Sequence, residues 1–321
     1  MRQMKLYWHL IIRKSLRKNN LLRSKEENNK DRMKKQMQPK WKKLSILIVL
    51  FLILGVTSTC FSRVCLIATN YEVVTNKLDT PLRIVHLTDL HNSEFGTSNE
   101  SLLSKAAEQS PDLIVLTGDM LTADEPDTSL VENLIRELAK IAPVYAAYGN
   151  HEKEYEECYD VDLTAVFEEA GAHVLEYAYE DIEVNGQKLR LGGLYGYCVP
   201  ISTNEAREKE VAFLQELVSE DVYTILLTHM PYCWILNDGI SEWDVDCVFA
   251  GHDHGGQIRI PLIGGLYAPD QGWFPGRDCG LYYSDDREEV LVLSRGLGST
   301  GKIPRMNNIP EIVVVDLLPE S

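Results

Sequence analysis

Beyond its first 43 residues the chain has little positive charge: 17 Lys and Arg stand against 45 Asp and Glu. Proteins hold nucleic acid largely by neutralising phosphates with Lys and Arg, so a body this acidic argues against DNA or RNA as a partner. Cysteine is also scarce. Seven are present, none in C-x-x-C spacing, which excludes zinc-finger sites. Cys60 and Cys65 fall in an apolar run, and the other five (Cys158, Cys198, Cys233, Cys247, Cys279) are odd in number. If they face an oxidising compartment, at least one thiol stays free. No internal repeat and no Gly- or Pro-rich linker interrupts the body, so it reads as one folded domain.

Long hydrophobic runs are confined to one place. Leu44–Phe61 is 18 residues without a charge, about 27 Å as a helix and close to the hydrocarbon thickness of a bilayer. Val64–Ala68 extends it. The 43 residues before it carry 15 basic and 3 acidic side chains. The positive-inside rule keeps such a tail in the cytoplasm and sends the acidic body across. The expected organisation is therefore a basic cytoplasmic tail over 1–43, a single-pass transmembrane anchor over 44–68 and an extracytoplasmic catalytic domain over 69–321. A cleaved signal peptide fits less well, since the n-region is long and no A-x-A site follows. Trp8, Leu10–Ile12 and Leu21–Leu22, interleaved with basic residues, suit either an amphipathic contact with anionic lipid or a solvated tail.

In the body, short β-branched runs alternate with helical patterns. Strands are expected over Leu82–Thr88, Asp112–Thr117, Pro143–Tyr148, His173–Tyr177, Val222–Thr228, Asp246–Ala250, Val290–Ser294 and Ile312–Leu317. Helices are expected over Asn99–Gln109, Val131–Ile141, Leu163–Ala170 and Asn204–Ser219, with a hairpin around Asn185-Gly186 inside Ile182–Leu194. Helices between early strands and hairpins between later ones imply an α/β fold around mixed sheets.

Metal-capable side chains recur where these strands end: Asp89 and His91, Asp119, Asn150 and His151, His229, and His252 and His254. Ligands in α/β folds collect beyond strand ends, so all five sets can converge. Each alone is weak evidence, because a lone His is more often a satisfied structural residue. Together they account for five of the eight histidines, and Gly precedes Asp119, Asn150 and His252. Glycine there permits tight turns that lift the next side chain into a site. Oxygen and imidazole donors without thiolate suit Mn, Fe, Zn or Co. Seven ligands exceed one ion's coordination shell, whereas two divalent ions sharing a carboxylate account for them.

The order D-x-H, G-D, G-N-H-E, H and G-H-x-H resembles the calcineurin-like metallophosphoesterase superfamily over essentially the whole body. Gly251-His252-Asp253-His254-Gly255-Gly256-Gln257 is similar to the GHTHGGQ of bacterial membrane-associated or exported members, with Asp253 in place of Thr. Ser294-Arg295-Gly296-Leu297-Gly298, Arg305 and Pro310-Glu311-Ile312 resemble the same branch. The resemblance implies a four-layer α/β/β/α sandwich. It also implies that Asp89, His91 and His254 hold one metal, that Asn150, His229 and His252 hold the other, and that Asp119 bridges them. His151 would be the general acid or the group stabilising the leaving oxygen.

Paired ions would deprotonate a shared water near neutral pH and clamp the phosphoryl oxygens of an in-line displacement. The expected activity is hydrolysis of phosphodiester or pyrophosphate bonds in lipid-linked or cell-envelope substrates. Phosphomonoesters and phosphoproteins are the alternative substrates. A catalytically silent membrane-tethered binding module is the rival of another class, and the intact ligand set argues against it. Ile263–Phe274, aromatic and Gly-rich, reads either as a packed surface loop or as the wall of an apolar substrate groove.

Overall fold

The structure is a computed structural model, and it describes residues 2–196, 204–236, 239–299 and 303–320. The chain divides into two units, residues 1–57 and 58–321. Helix α1, Arg2–Val64, occupies the whole of the first unit and supplies the opening turns of the second. Its stretch Lys43–Val64 is 22 residues, long and apolar enough to cross a membrane. The helix stops at Val64, and Ile67 and Ala68 already belong to strand β1 (Ile67–Thr75), so the end of the apolar stretch pairs with Glu311 and Ile312 instead of prolonging the helix. Alternation of exposed and shielded residues at a sheet edge decides this, because apolar content alone does not separate a helix end from a strand start.

The second unit contains two six-stranded mixed sheets. The first orders β1, β16 (Glu311–Pro319), β2 (Leu82–Leu87), β3 (Leu113–Thr117), β4 (Val144–Ala147) and β5 (Ala172–Val174). β16 runs antiparallel to β2, and all other neighbours are parallel. The second sheet orders β14 (Gly280–Tyr283), β15 (Val290–Leu293), β9 (Cys247–Ala250), β8 (Tyr223–Thr228), β7 (Gln187–Leu194) and β6 (Ala178–Val184). Its two outermost pairs are antiparallel and its centre is parallel. Asn185 and Gly186, both at positive φ, turn β6 into β7 as the Asn-Gly pair leads one to expect.

The central strands read as unbroken apolar runs because both faces are buried. Along β3, Leu113 and Val115 point between the sheets, where they meet Leu191, Ile225, Leu227, Phe249 and Val292. Ile114 and Leu116 point outward against α2 (Glu100–Glu108), α3 (Ser129–Leu138) and α5 (Leu163–Ala170), through Leu102, Leu134, Ile135 and Phe167. Leu226, Val248 and Leu291 of the second sheet are covered by Phe213, Leu214 and Leu217 of α6 (Asn204–Leu217) and by Trp234 of α7 (Tyr232–Leu236). The result is an α/β/β/α sandwich. Phe249→Ala at its centre would cost about 3–5 kcal/mol by lost transfer energy and a cavity.

Among the elements that escape the sequence pattern are one helix and one strand of the main sheets. Helix α4, Asn150–Tyr159, has mostly charged residues and buries only Glu152 and Tyr155, so it lacks apolar periodicity. β14 follows a loop rich in Gly and Pro and has no alternation to reveal it.

Candidate metal centre

The five strand-end sets do meet. Asp89 and His91 follow β2, Asp119 follows β3, and Asn150 and His151 open α4 behind β4. His229 follows β8, and His252 and His254 follow β9. Donor atoms of all of these but Asn150 fall into three groupings tight enough to hold a metal ion: Asp89, His91 and His254; Asp119, His229 and His252; and His91, Asp119 and His151. Asp119 Oδ2 lies 3.2 Å from His229 Nε2 and 3.6 Å from His91 Nε2. Asp89 Oδ1 lies 3.3 Å from His254 Nε2.

The backbone is bent to achieve this. Asp89, His91, Asp119, His252 and His254 all have φ between 46° and 70°. A left-handed conformation costs a non-glycine residue about 1–3 kcal/mol, and it persists only where surroundings enforce it. Here Asp89 N donates to Gly118 O and His91 N to Asp119 O, each at 3.0 Å, while Gly298 N donates to Asp89 O. The glycines do a different job from the one their positions suggest. Only Gly118, at φ 84°, needs the left-handed region. Gly149 is extended, and a Cβ there would fall 2.2 Å from Asp119 Oδ1. It is glycine because two loops approach too closely for a side chain.

Hydrogen bonds set the imidazoles so that lone pairs face inward, since a ring nitrogen that donates leaves the other as acceptor. His229 Nδ1 donates to Thr117 O at 2.7 Å and His254 Nδ1 to Gly298 O at 3.3 Å, which turns both Nε2 atoms to the centre. His252 reverses the arrangement. Its Nδ1 faces His229 Nε2 at 3.1 Å, and its Nε2 lies 3.2 Å from Asp270 Oδ2, without the alignment of a formed hydrogen bond. His91 Nε2 and His254 Nε2 approach to 3.2 Å. Nitrogens whose lone pairs face each other at this distance gain nothing unless a cation or a proton lies between them.

Burial pushes His91 down to about 3 and His254 well below its ordinary range, so both rings are neutral. Burial works the same way on His229, but the Asp119 charge and hydrogen bond outweigh it and lift that ring to about 10. Positive charge is therefore favoured beside Asp119. Asn150 Oδ1 is buried with no hydrogen-bond partner. An orphaned buried carbonyl is costly unless a donor or ion satisfies it, so the residues present fit a cationic centre.

A model of the calcineurin-like phosphoesterase family matches residues 82–256, more than half the chain, running from the start of β2 to just past His254. The chain belongs to the calcineurin-like phosphoesterases. It is a metal-dependent phosphoesterase. It is 32% identical over 72% of its length to the uncharacterized metallophosphoesterase YkoQ of Bacillus subtilis, covering 82% of that protein. It is 30% identical over 74% of its length to the phosphodiesterase YaeI of Escherichia coli, covering 83%. Identity is 24% to the UDP-2,3-diacylglucosamine pyrophosphatase LpxG of Chlamydia muridarum, over 74% of this chain and 84% of that one.

Three residues of this phosphoesterase matter to the site without having stood out as donors in the sequence. Glu152 is fully buried and accepts from the amides of Asp119 and Met120 at 2.7 Å and of Gly149 at 2.8 Å, which clamps the Gly118 loop to the start of α4. Burial and the Asp119 charge push its carboxyl up to about 7, against those amides. Arg305 is buried, donates to Gly298 O and Arg295 O at 2.6 and 2.7 Å, and stands 3.4 Å from His254 Nδ1. Burial lowers it to about 10, still cationic near neutrality. Asp270 comes from a short hairpin far along the chain. Glu152 carried a signal as the fourth letter of G-N-H-E and Arg305 through the C-terminal resemblance, whereas Asp270 carried none. By contrast His86 is buried between the sheets with Nε2 2.7 Å from Thr117 Oγ1 and belongs to none of the donor groupings.

Proposed function

We propose that this chain is a membrane-anchored, dinuclear phosphoesterase. Its reaction is hydrolysis of phosphodiester or pyrophosphate bonds in lipid-linked or cell-envelope substrates. The observation that carries the proposal is Asp119 Oδ2, set between His91 Nε2 and His229 Nε2 and so shared by two groupings of donors. Asp89, His91 and His254 hold one ion, Asn150, His229 and His252 the other, and Asp119 both. Two such ions, Mn, Fe, Zn or Co, supply Lewis acidity and an acidic water when bound.

The chain's own part is orientation and charge. Asp119 Oδ1 is occupied by the amide of His151 at 2.9 Å, which leaves Oδ2 for the centre. His151 Nδ1 accepts from the amide of Ala123 at 3.0 Å, so its proton sits on Nε2. A neutral ring of this tautomer is a poor acid but a good donor. His151 therefore acts by hydrogen-bonding charge on the departing oxygen, in preference to full proton transfer. The Asp119 carboxylate, held below the usual range against burial by His229 and His91 beside it, repels an anionic substrate unless cations offset its charge, which makes binding depend on the ions.

Lys43–Val64 supports the anchor. Its 22 residues reach about 33 Å, enough to cross a hydrocarbon core of about 30 Å. Phosphodiester and pyrophosphate chemistry are named for YaeI and LpxG, the latter acting on a diacylated sugar nucleotide. The test is full-length protein in lipid nanodiscs, stripped of metal and reloaded singly with Mn, Zn, Fe or Co. Two bound equivalents and turnover of an aryl phosphodiester, both lost in Asp119→Ala, are expected. One equivalent in the wild type would sink the dinuclear reading.

A further inference from the structure

Beside the candidate centre runs a groove of about 450 Å³, within the range of small-ligand sites. Ile258, Leu266, Tyr267, Trp273 and Ile303 line it, with Gly256 and Gln257 at one end. Among the described residues none that line it is charged, in a body with 45 acidic side chains. Its rim is unusually bare: Trp273 is 69% exposed, Phe274 57% and Ile263 64%. Exposed apolar surface of this extent on an otherwise polar body marks a binding surface.

Three tethers place the groove. Gly256 and Gln257 directly follow His254, and Gly256 packs so closely on Gly265 that a Cβ would lie 2.4 Å from its Cα. The hairpin of β12 (Tyr267–Ala268) and β13 (Gly272–Trp273) pairs Tyr267 with Trp273 on the groove, while its turn sets Asp270 against His252. Past Ile303, the loop 306–308 binds both neighbours. Asn308 Nδ2 donates to His254 O at 2.7 Å, and the amides of Asn307 and Asn308 donate to Ser58 Oγ and Ser62 Oγ at 2.7 and 3.4 Å. Ser58 and Ser62 are in the last turns of the apolar helix. Phosphate chemistry, an apolar groove and the end of the apolar run thus share one short loop.

We infer that this groove takes the hydrocarbon tail of a lipid-linked phosphate, drawn from the bilayer in which the apolar run lies, while the phosphate reaches the donors around Asp119. The inference rests on the phosphoesterase reading above and adds the substrate's apolar half to it. Because none of the described lining residues is charged, an entering tail need not strip water from an ionised group.

The test compares p-nitrophenyl octyl phosphate with p-nitrophenyl ethyl phosphate, which share a leaving group, using metal-loaded full-length protein in nanodiscs. Wild type should favour the octyl ester in kcat/KM by at least about tenfold, since each buried methylene is favourable. Trp273→Ala and Ile303→Glu should abolish that preference, bringing kcat/KM for the octyl ester to that for the ethyl ester within each variant. Independently of turnover, doxyl-stearoyl phosphatidylglycerol in the nanodisc should quench metal-free wild type more than Trp273→Phe, the difference reporting Trp273 alone. No difference in quenching overturns the inference. So does quenching with an octyl preference that both variants retain, which would mean mere contact with the bilayer surface. Quenching without hydrolysis of either ester would leave the groove standing and remove the phosphoesterase reading beneath it.

Discussion

The first sheet brings Asp89, His91, Asp119, Asn150 and His151 to the shared edge, whereas the second brings only the imidazoles of His229, His252 and His254. The two halves are also held differently. Loops of the first sheet are tied by backbone bonds and by the Glu152 carboxylate, which takes three amides at 2.7–2.8 Å. Rings of the second are aimed by single contacts to carbonyls and to Asp270. The carboxylates thus reside on the rigid half, and the adjustable half contributes only imidazoles. Two of the three groupings, Asp89 with His91 and His254 and Asp119 with His229 and His252, draw from both sheets, so an ion bound in either would join them.

Breaking the charged half should cost most. Asp119→Ala is expected to lose both metal equivalents and about 10⁴-fold or more in turnover, several kcal/mol of transition-state stabilisation. Metal analysis beside kinetics checks it, and His229→Ala, from the imidazole half, should lose one equivalent only. His151→Ala should keep both ions and lose about 10²–10³ in kcat, the loss expected for one oriented donor. His151→Gln, which retains an N–H, should recover part of it, and equal losses in the two variants would contradict the donor role.

Glu152→Gln turns an amide nitrogen toward backbone donors and should destabilise the fold by about 1–3 kcal/mol. A thermal melt of metal-free protein reads this, apart from any effect on chemistry. Asp270→Asn should weaken the ion at His252 by about 10–100-fold, as removal of a ring's outer partner does, and leave the ion at His254 intact. Competitive chelator titration separates the two. Outside the site, Asp181 accepts from Arg190 Nε and Nη2 at 2.6 and 2.9 Å, and this bonding holds its carboxyl below the usual range. Its contribution is full above the unfolded carboxylate value near 4 and is lost as pH falls through the depressed folded value. Because Asp181 is exposed, Asp181→Asn should cost about 1 kcal/mol or less, and only above that window.

The donors around Asp119 were legible because each sits directly behind a β-branched run. Strand identity and strand end are both local, so Asp89, Asp119, Asn150, His229 and His252 could be placed without knowing how the strands pair. Helix α4 was not legible, because a helix that buries only Glu152 and Tyr155 leaves no periodic trace. The start of β1 was hidden for the opposite reason. Leu66, Ile67 and Ala68 are as apolar as the helix before them, and only pairing with β16 turns Ile67 and Ala68 into strand.

By itself, then, the sequence determined the alternation of strands and helices, the apolar run with its basic flank, and the donor chemistry, since all three are set by residue type and short spacing. Tertiary structure alone decided which nitrogen of each imidazole faces inward, because that depends on carbonyls more than forty residues away, such as Thr117 O for His229 and Gly298 O for His254. It also brought Asp270 to His252 and tied Asn307 and Asn308, just past Ile303, to Ser58 and Ser62. Contacts between segments so distant in sequence are fixed by packing of the whole sandwich, which local sequence does not encode.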